Sequence, residues 1–175
     1  MKPDWYVIIG GPYSGKTTII NELEKLGHCV VQEAAATIIN EGILKGKNID
    51  EIRKDENEFT EVVLKKKLEN EAKAPRDKIV FFDRGVPDAI AYDKVYNALT
   101  NKEVIELCKK RDYARVFFLE MLPYKKTYER VEDKETAEKL SKCLYEAYLE
   151  YGYNVVKVPV MSVNERVEFI LKKIK

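Results

Sequence analysis

The sequence has few cysteine and histidine residues and no excess of either charge. Its three cysteines form no Cys-x-x-Cys pair, and its single histidine lies in no metal-ligand spacing. The 31 basic and 30 acidic side chains leave a net charge of +1, which indicates neither a nucleic-acid partner nor an anionic membrane surface. These absences favour a reduced, cytoplasmic protein that acts on small molecules.

Long apolar runs and linker-like segments are absent as well. No run approaches the ~18 residues that a membrane span requires, and the chain does not begin with the charged and apolar leader of a secreted protein. We therefore expect neither secretion nor membrane insertion. A length of 175 residues without a segment rich in glycine, proline and serine predicts a single domain over residues 1–175.

A glycine-rich segment near the start carries the first chemical signal, the pattern G-x-x-x-x-G-K-[ST]. Its residues are Gly10, Gly11, Pro12, Tyr13, Ser14, Gly15, Lys16 and Thr17, with Thr18 following. The N–H groups of such a loop, together with the positive end of the next helix, face a polyphosphate. We expect Lys16 to reach the β- and γ-phosphates and the Thr17 hydroxyl to bind Mg²⁺. The segment therefore predicts a nucleotide and Mg²⁺ as cofactors.

Five apolar runs have the length of β-strands and are separated by helical patterns. They span residues 6–9, 29–32, 79–82, 116–119 and 154–158. Their near-continuous β-branched and aromatic residues are typical of strands buried on both faces of a parallel sheet. With right-handed crossovers, the runs predict an α/β fold: a doubly wound five-stranded parallel sheet with the nucleotide at the carboxyl ends of the strands.

The segments between these runs have the periodicity and the end signals of helices. One helix is predicted to follow the phosphate loop and to stop at Gly27. Asp50 is predicted to cap one long helix. Apolar positions at three-to-four spacing indicate another helix between residues 134 and 151. Ser162 or Asn164 is expected to cap the last one.

Polar side chains follow the strand-like runs, where we expect the chemistry of such a fold. Asp83 follows the third run and is predicted to hold Mg²⁺ beside the phosphate loop, with a turn-capping role as the alternative. Arg84 comes next and could pair with a substrate phosphate; a structural salt bridge is the alternative. Glu33 follows the second run and could accept the proton of an attacking hydroxyl; capping the next helix is the alternative.

A basic segment after the fourth run, residues 124–130, has the composition of a lid. Phosphoryl transfer needs cations that close over the transferring group and exclude water. Arg130, which lies shortly before the next helical pattern, is the predicted lid residue. A solvated loop is the alternative, and it is the favoured interpretation for Lys125 and Lys126.

Two classes of nucleotide-binding machine lack their signals here. An oligomeric ATPase motor would carry a glutamate directly after the strand-end Asp83 to polarise water, whereas this chain has Arg84. A signalling GTPase would carry an N-K-x-D segment to bind guanine, and the nearest match, residues 101–104, ends in valine. The layout instead favours a small-molecule kinase.

Three segments besides the phosphate loop make the chain resemble a known family. They are residues 31–35, residues 81–92 with the pattern D-R-G-x-P-D-x-x-A-Y, and residues 151–159 with the pattern G-Y-x-V-x-x-V-P. Together they resemble the AAA_28-type family of P-loop ATPases and kinases. That family is similar to the nicotinamide riboside kinase domain of the bacterial NAD regulator and to nucleoside and thymidylate kinases.

The resemblance implies a nucleoside-kinase-like sheet, ATP with Mg²⁺, and a substrate pocket bordered by Glu33, Asp83 and Arg84. Glu33 matches the general base position of the deoxynucleoside kinases, and Arg84 matches their substrate-side arginine. The resemblance covers nearly the whole chain, but no residue set here matches the recognition of nicotinamide or of a nucleobase.

Two functional hypotheses follow. In the first, the protein is an ATP- and Mg²⁺-dependent kinase that moves the γ-phosphoryl group to a hydroxyl of a nucleoside-like or related metabolite. Lys16, Thr17 and Asp83 would stabilise the charge, while Glu33 would be the base and Arg130 would close the site. In the second, it is a nucleotide-dependent switch or slow NTPase that acts on a protein partner. The sequence names no acceptor and no oligomeric state.

Overall fold

The computed structural model describes residues 3–110, 113–123 and 133–174, with residues 56 and 57 described by their backbone only. The chain divides into two compact units, residues 1–30 with 76–175 and residues 31–75. The single domain over residues 1–175 stays a prediction. Within the described residues, no helix combines the length and the apolar character needed to cross a membrane.

Five strands form one sheet, as the apolar runs predict. They are β1 (Trp5–Ile9), β2 (Cys29–Val31), β3 (Val80–Asp83), β4 (Arg115–Leu119) and β5 (Val155–Val158). Their order across the sheet is β2-β3-β1-β4-β5. Strand β1 pairs in parallel with β3 and β4, and β4 pairs in parallel with β5. The strand order reverses at β1, whose carboxyl end therefore lies where α/β sheets bind their ligands.

Helices follow every strand. In chain order they are α1 (Lys16–Lys25), α2 (Ala34–Leu44), α3 (Ile49–Ile52), α4 (Glu56–Lys73), α5 (Asp88–Tyr96), α6 (Lys102–Cys108), α7 (Lys134–Glu150) and α8 (Val163–Leu171). The helices predicted after the phosphate loop, before residue 151 and near the chain end are confirmed. No periodicity in the sequence predicts α5 and α6, which come between β3 and β4.

The core of the larger unit lies on both faces of the sheet. One face packs against α1 and α8 through a cluster of apolar side chains, which are Tyr6, Ile8, Ile19, Ile20, Leu23, Phe81, Phe117, Leu119, Val158, Val167 and Ile170. Alternate residues of a strand point to opposite faces, and Phe118 on the other face contacts Tyr145 of α7. Helix α7 also packs against α5. Burial on both faces explains why the strands are continuous apolar runs rather than alternating ones.

The long helix before Pro75 is present as α4, but it begins at Glu56 and follows a separate short helix, so the predicted start at Asp50 is wrong. Asn48 caps α3: its side chain accepts a 2.8 Å hydrogen bond from the Glu51 N–H, and the Glu51 carboxylate accepts one of 2.8 Å from the Asn48 N–H. The Asp55 carboxylate accepts a hydrogen bond from the Glu58 N–H at 3.1 Å, at the start of α4. Two successive capping residues therefore begin two successive helices.

Ser162 caps the last helix and is one of the two residues predicted for this role. The Ser162 hydroxyl accepts a hydrogen bond from the Glu165 N–H at 3.3 Å, and the Glu165 carboxylate accepts one from the Ser162 N–H at 2.9 Å. This reciprocal pair is a capping box, which supplies partners for N–H groups at a helix start. Asn164 lies inside the first turn of α8 instead.

Replacing Ser162 by alanine should lower the free energy of unfolding by about 1 kcal/mol, the usual cost of losing an N-cap side chain. The control Asn164→Ala should leave this free energy unchanged or raise it slightly, because alanine is the better helix former inside a helix. Urea denaturation at neutral pH measures both variants. Equal losses in the two would contradict the assignment of Ser162 as the cap.

The effect of Ser162→Ala should also depend on pH. Hydrogen bonds from Ser162 lower the pKa of the Glu165 carboxyl below its ordinary value of 4.5. A lowered carboxyl pKa stabilises the folded state above the ordinary value, and this stabilisation disappears as the pH falls through the lowered value. The difference in free energy of unfolding between the wild type and Ser162→Ala should therefore have its full size at neutral pH. It should become smaller once the pH falls below 4.5.

Candidate functional site

The phosphate loop joins β1 to α1, as predicted, and its backbone is closely packed. Gly15 takes a left-handed φ of 77° just before α1, a conformation that glycine adopts without strain. A Cβ atom at Gly10 would lie 2.5 Å from the Ser14 Oγ, and one at Gly11 would lie 2.8 Å from the Cβ of Ser141 in α7. Glycine is required at both positions because neighbouring atoms leave no room for a side chain.

The N-terminus of α1 opens directly at this loop. Gly15 has no side chain with which to cap the helix, and a helix makes no internal hydrogen bonds to its first N–H groups. Thr17 and Thr18 are exposed in the first turn, whereas Ser14 is buried. The Ser14 hydroxyl makes no hydrogen bond within the described residues. A helix end of this kind, with its positive dipole, suits an anion.

Lys16 and Asp83 form a buried ion pair at the loop. The Lys16 Nζ donates a hydrogen bond to the Asp83 Oδ1, and the two residues are 7% and 6% exposed. Asp83 ends β3, where it pairs in register with Ile8 of β1. The parallel pairing of the two strands therefore brings the carboxylate to the loop. Burying the charge of Lys16 or of Asp83 would be costly without the opposite charge beside it.

Thr17 and Asp83 are suited to hold Mg²⁺ together with a phosphate. Mg²⁺ prefers oxygen ligands and is usually bound through one or two carboxylates, phosphate oxygens and water. The described residues contain no group of three or more histidine, cysteine, aspartate or glutamate side chains that could hold a metal. The donors present fit a magnesium ion that arrives with a nucleotide, rather than one held by the protein alone.

Arg84 takes a left-handed conformation and forms an ion pair. Its φ is 68°, which costs energy for a residue with a side chain. Its Nη1 lies 3.0 Å from the Asp88 Oδ2, and its guanidinium lies 5.5 Å from the centre of the Tyr92 ring. The salt bridge that was the alternative interpretation is therefore present and fixes the direction of the side chain. The role of Arg84 toward a substrate stays a prediction.

A buried network behind Arg84, which sequence reasoning missed, holds the turn after β3. The Tyr148 hydroxyl donates a 2.6 Å hydrogen bond to the Asp88 Oδ1, and the Gly85 N–H donates to the Tyr148 oxygen at 3.0 Å. A Cβ atom at Gly85 would lie 2.8 Å from the same oxygen. Burial, reinforced by the charge of Asp88, raises the pKa of Tyr148. The phenol therefore remains a hydrogen-bond donor at neutral pH.

Arg166 of α8 contacts the phosphate loop and is a second residue that sequence reasoning missed. It is 2% exposed, and its guanidinium donates to the backbone carbonyls of Ser14, Glu120 and Pro159 at 2.6, 2.8 and 2.9 Å. Burial lowers the pKa of Arg166, but an arginine stays charged at neutral pH. The one signal in the sequence is an arginine beside Val167 on the apolar face of a helix.

Glu33 and Arg130 are the remaining predicted site residues. Glu33 lies in the unit of residues 31–75, at the start of α2, and its side chain makes no capping hydrogen bond. Its backbone carbonyl accepts hydrogen bonds from the N–H and the hydroxyl of Thr37 at 3.0 and 2.9 Å. Side-chain capping, the alternative interpretation of Glu33, is therefore not observed, and its role as a base stays a prediction. Arg130 lies in residues 124–132, outside the described residues.

Tyr148→Phe should lower the free energy of unfolding by about 2 kcal/mol, because it removes a hydrogen bond to a buried carboxylate. The matched control is Tyr153→Phe. Tyr153 is also buried, but its hydroxyl donates to a neutral acceptor, the Cys108 carbonyl, at 3.1 Å, so its loss should cost about 1 kcal/mol. Denaturant titration measures both losses in free energy of unfolding, and the loss should be larger for Tyr148→Phe. A larger loss in Tyr153→Phe would contradict a charged acceptor for Tyr148.

Nucleoside and nucleotide kinases of known structure share this fold. A thymidylate kinase from Ehrlichia chaffeensis is similar with a TM-score of 0.65 at 18% identity, over 96% of each chain. A deoxyadenosine kinase from M. mycoides with bound dATP has a TM-score of 0.59 at 17% identity, over 97% of this chain and 98% of the other. NadR in complex with NR has a TM-score of 0.65 at 15% identity, over 99% of this chain and 52% of the other.

These similarities confirm the predicted fold class, a five-stranded parallel α/β sheet of the nucleoside-kinase P-loop type. No functionally curated protein matches the sequence. The family model AAA_28, described as an AAA domain, matches residues 5–166. That range contains the phosphate loop, Asp83, Arg84 and Arg166. The resemblance carried by the sequence motifs is therefore confirmed, and the chain belongs to the AAA_28 family.

Proposed function

We propose that the protein is a kinase that uses ATP and Mg²⁺ to phosphorylate a hydroxyl group of a nucleoside-like or related small metabolite. The observation that carries this proposal is the buried pair of Lys16 and Asp83 at the phosphate loop. A glycine-rich loop, its lysine and a strand-end carboxylate are the parts with which P-loop enzymes bind a nucleotide and its metal. The similarity to nucleoside and nucleotide kinases supports an acceptor of this class.

In the proposed reaction the acceptor oxygen forms a bond to the γ-phosphorus, the bond from that phosphorus to the bridging oxygen breaks, and ADP leaves. Lys16 would donate to the β- and γ-phosphate oxygens in place of its contact with Asp83, and the loop N–H groups would hold the same phosphates. Mg²⁺, bound by Thr17 and Asp83, would neutralise part of the phosphate charge. Each contact opposes the negative charge that the reacting phosphates carry.

The remaining proposed roles belong to Glu33, Arg84 and Arg130. Glu33 would accept the proton of the attacking hydroxyl. Arg84, whose direction is fixed by its ion pair with Asp88, would meet the acceptor as a cation that is already oriented. Arg130 would close over the transferring phosphoryl group and exclude water. The roles of Glu33 and Arg84 follow the deoxynucleoside kinases that the sequence resembles.

Lys16→Met should weaken ATP binding roughly tenfold or more, because the variant lacks a cation at the β- and γ-phosphates. The matched control is Lys25→Met at the other end of α1, where the lysine side chain is 69% exposed and pairs with Glu22 at 2.7 Å. Calorimetric titration with ATP and Mg²⁺ measures both dissociation constants. An unchanged constant in folded Lys16→Met would contradict the proposed nucleotide site.

Glu33→Gln should nearly abolish phosphoryl transfer, since an amide cannot accept the proton and a general base contributes about 10²- to 10⁴-fold to the rate. ATP affinity should stay nearly intact. The control is Glu41→Gln inside α2, where the Glu41 carboxylate pairs with Lys66 at 3.4 Å. Transfer from labelled ATP to a panel of nucleosides and vitamins gives the rates. Normal transfer by Glu33→Gln would mean that Glu33 is not the base.

The same panel separates a kinase from a nucleotide-dependent switch or slow NTPase. A kinase phosphorylates at least one hydroxyl compound faster than it hydrolyses ATP. A switch phosphorylates none of them, and its ATP hydrolysis rises only when a protein partner is added. The second outcome would contradict the proposed function.

A further inference from the structure

Arg166 is a buried cation whose hydrogen bonds all end on backbone carbonyls. Its Nη1 donates to the Ser14 carbonyl, its Nη2 to the Glu120 carbonyl and its Nε to the Pro159 carbonyl. The charge of Glu120 acts on it through space, but no carboxylate among the described residues lies close enough to form an ion pair with it. Carbonyl dipoles stabilise a cation without cancelling its charge, so the positive field of Arg166 extends into the loop that it contacts.

The hydrogen bond to Ser14 fixes one particular peptide group of the phosphate loop. A trans peptide is planar, and its C=O and N–H point in opposite directions. The Ser14 carbonyl points at the Arg166 Nη1, 2.6 Å away, so the N–H of Gly15 in the same peptide points away from the arginine. Gly15 immediately precedes Lys16 and is one of the loop residues whose N–H groups are expected to face phosphate oxygens.

The other two hydrogen bonds of Arg166 tie this peptide to the rest of the sheet edge. Glu120 directly follows β4 and Pro159 directly follows β5, and their carbonyls accept at 2.8 and 2.9 Å. The guanidinium is planar and carries its donors in a fixed fork. One rigid group therefore sets the position of the loop relative to the ends of two strands.

We propose that Arg166 is a positioning residue for polyphosphate binding: it orients the Gly15 N–H towards the phosphates and adds a fixed positive charge behind the loop. The inference rests on the proposed function only in that the loop must bind a polyphosphate. It requires neither an acceptor nor phosphoryl transfer.

The test compares the full-length protein with Arg166→Met, Arg166→Lys and the control Arg115→Met. Arg115 also donates from its Nη1 to a backbone carbonyl, that of Lys173 near the end of the chain, but it lies at the start of β4, away from the loop. Thermal melting first identifies the variants that fold. Calorimetry then gives the dissociation constants of inorganic tripolyphosphate, ATP and adenosine for each folded protein.

Arg166→Met should raise the dissociation constants of tripolyphosphate and ATP roughly tenfold or more, and that of adenosine less than about twofold. Arg166→Lys keeps the charge but loses the fork, so its constants should fall between those of wild type and Arg166→Met. Arg115→Met should bind tripolyphosphate like the wild type. A purely structural role would lower the melting temperature and leave tripolyphosphate affinity in the folded variant unchanged.

Unchanged tripolyphosphate affinity in folded Arg166→Met would overturn the inference, and so would a wild type that does not bind tripolyphosphate. If Arg166→Met does not fold, the inference is tested on Arg166→Lys alone. The tripolyphosphate affinity of that variant must then be lower than that of the wild type, and its Gly15 amide hydrogen must exchange faster. If neither variant folds, Arg166 is a folding residue and the inference is wrong. Arg166-dependent tripolyphosphate binding without any phosphorylated acceptor would instead overturn the proposed kinase and leave this inference standing.

Discussion

The buried ion pair between Lys16 and Asp83 connects the start of α1 to the end of β3. Either charge alone would be costly to bury, so each side chain holds the other in place at the phosphate loop. In the proposed function, a polyphosphate with its metal would offer the same two charges in exchange, anionic oxygens for the lysine and a cation for the carboxylate. The pair would then keep both groups ordered before the ligand arrives, which would reduce the entropy that binding must overcome.

Side chains from the last two helices hold the backbone around that pair. Arg166 reaches the Ser14 carbonyl across 152 residues of sequence, and Tyr148 reaches the Gly85 N–H across 63 residues. In both contacts a helix of the packed fold supplies the side chain, and the backbone group that it holds belongs to a short turn at the carboxyl end of a strand. The turns thus acquire the rigidity that a site on a loop would otherwise lack.

Local spacing predicts the phosphate loop, the strands and the strand-end Asp83, because each is encoded within a few neighbouring residues. Tyr148 and Arg166 escape such reasoning, since their partners lie in distant elements and Tyr148 has the ordinary apolar spacing of α7. The division into α3 and α4 escapes it for another reason. Asn48 and Asp55 both cap helices, and a single periodicity cannot separate two starts that follow each other so closely.

Gly11 of the loop packs directly against Ser141 of α7, because a Cβ atom on the glycine would lie 2.8 Å from the serine Cβ. A side chain added at residue 11 would therefore have to displace residue 141 or the loop itself. A shift of residue 141 towards the loop would in turn displace Gly11. The position of the nucleotide loop is thus coupled to the position of α7.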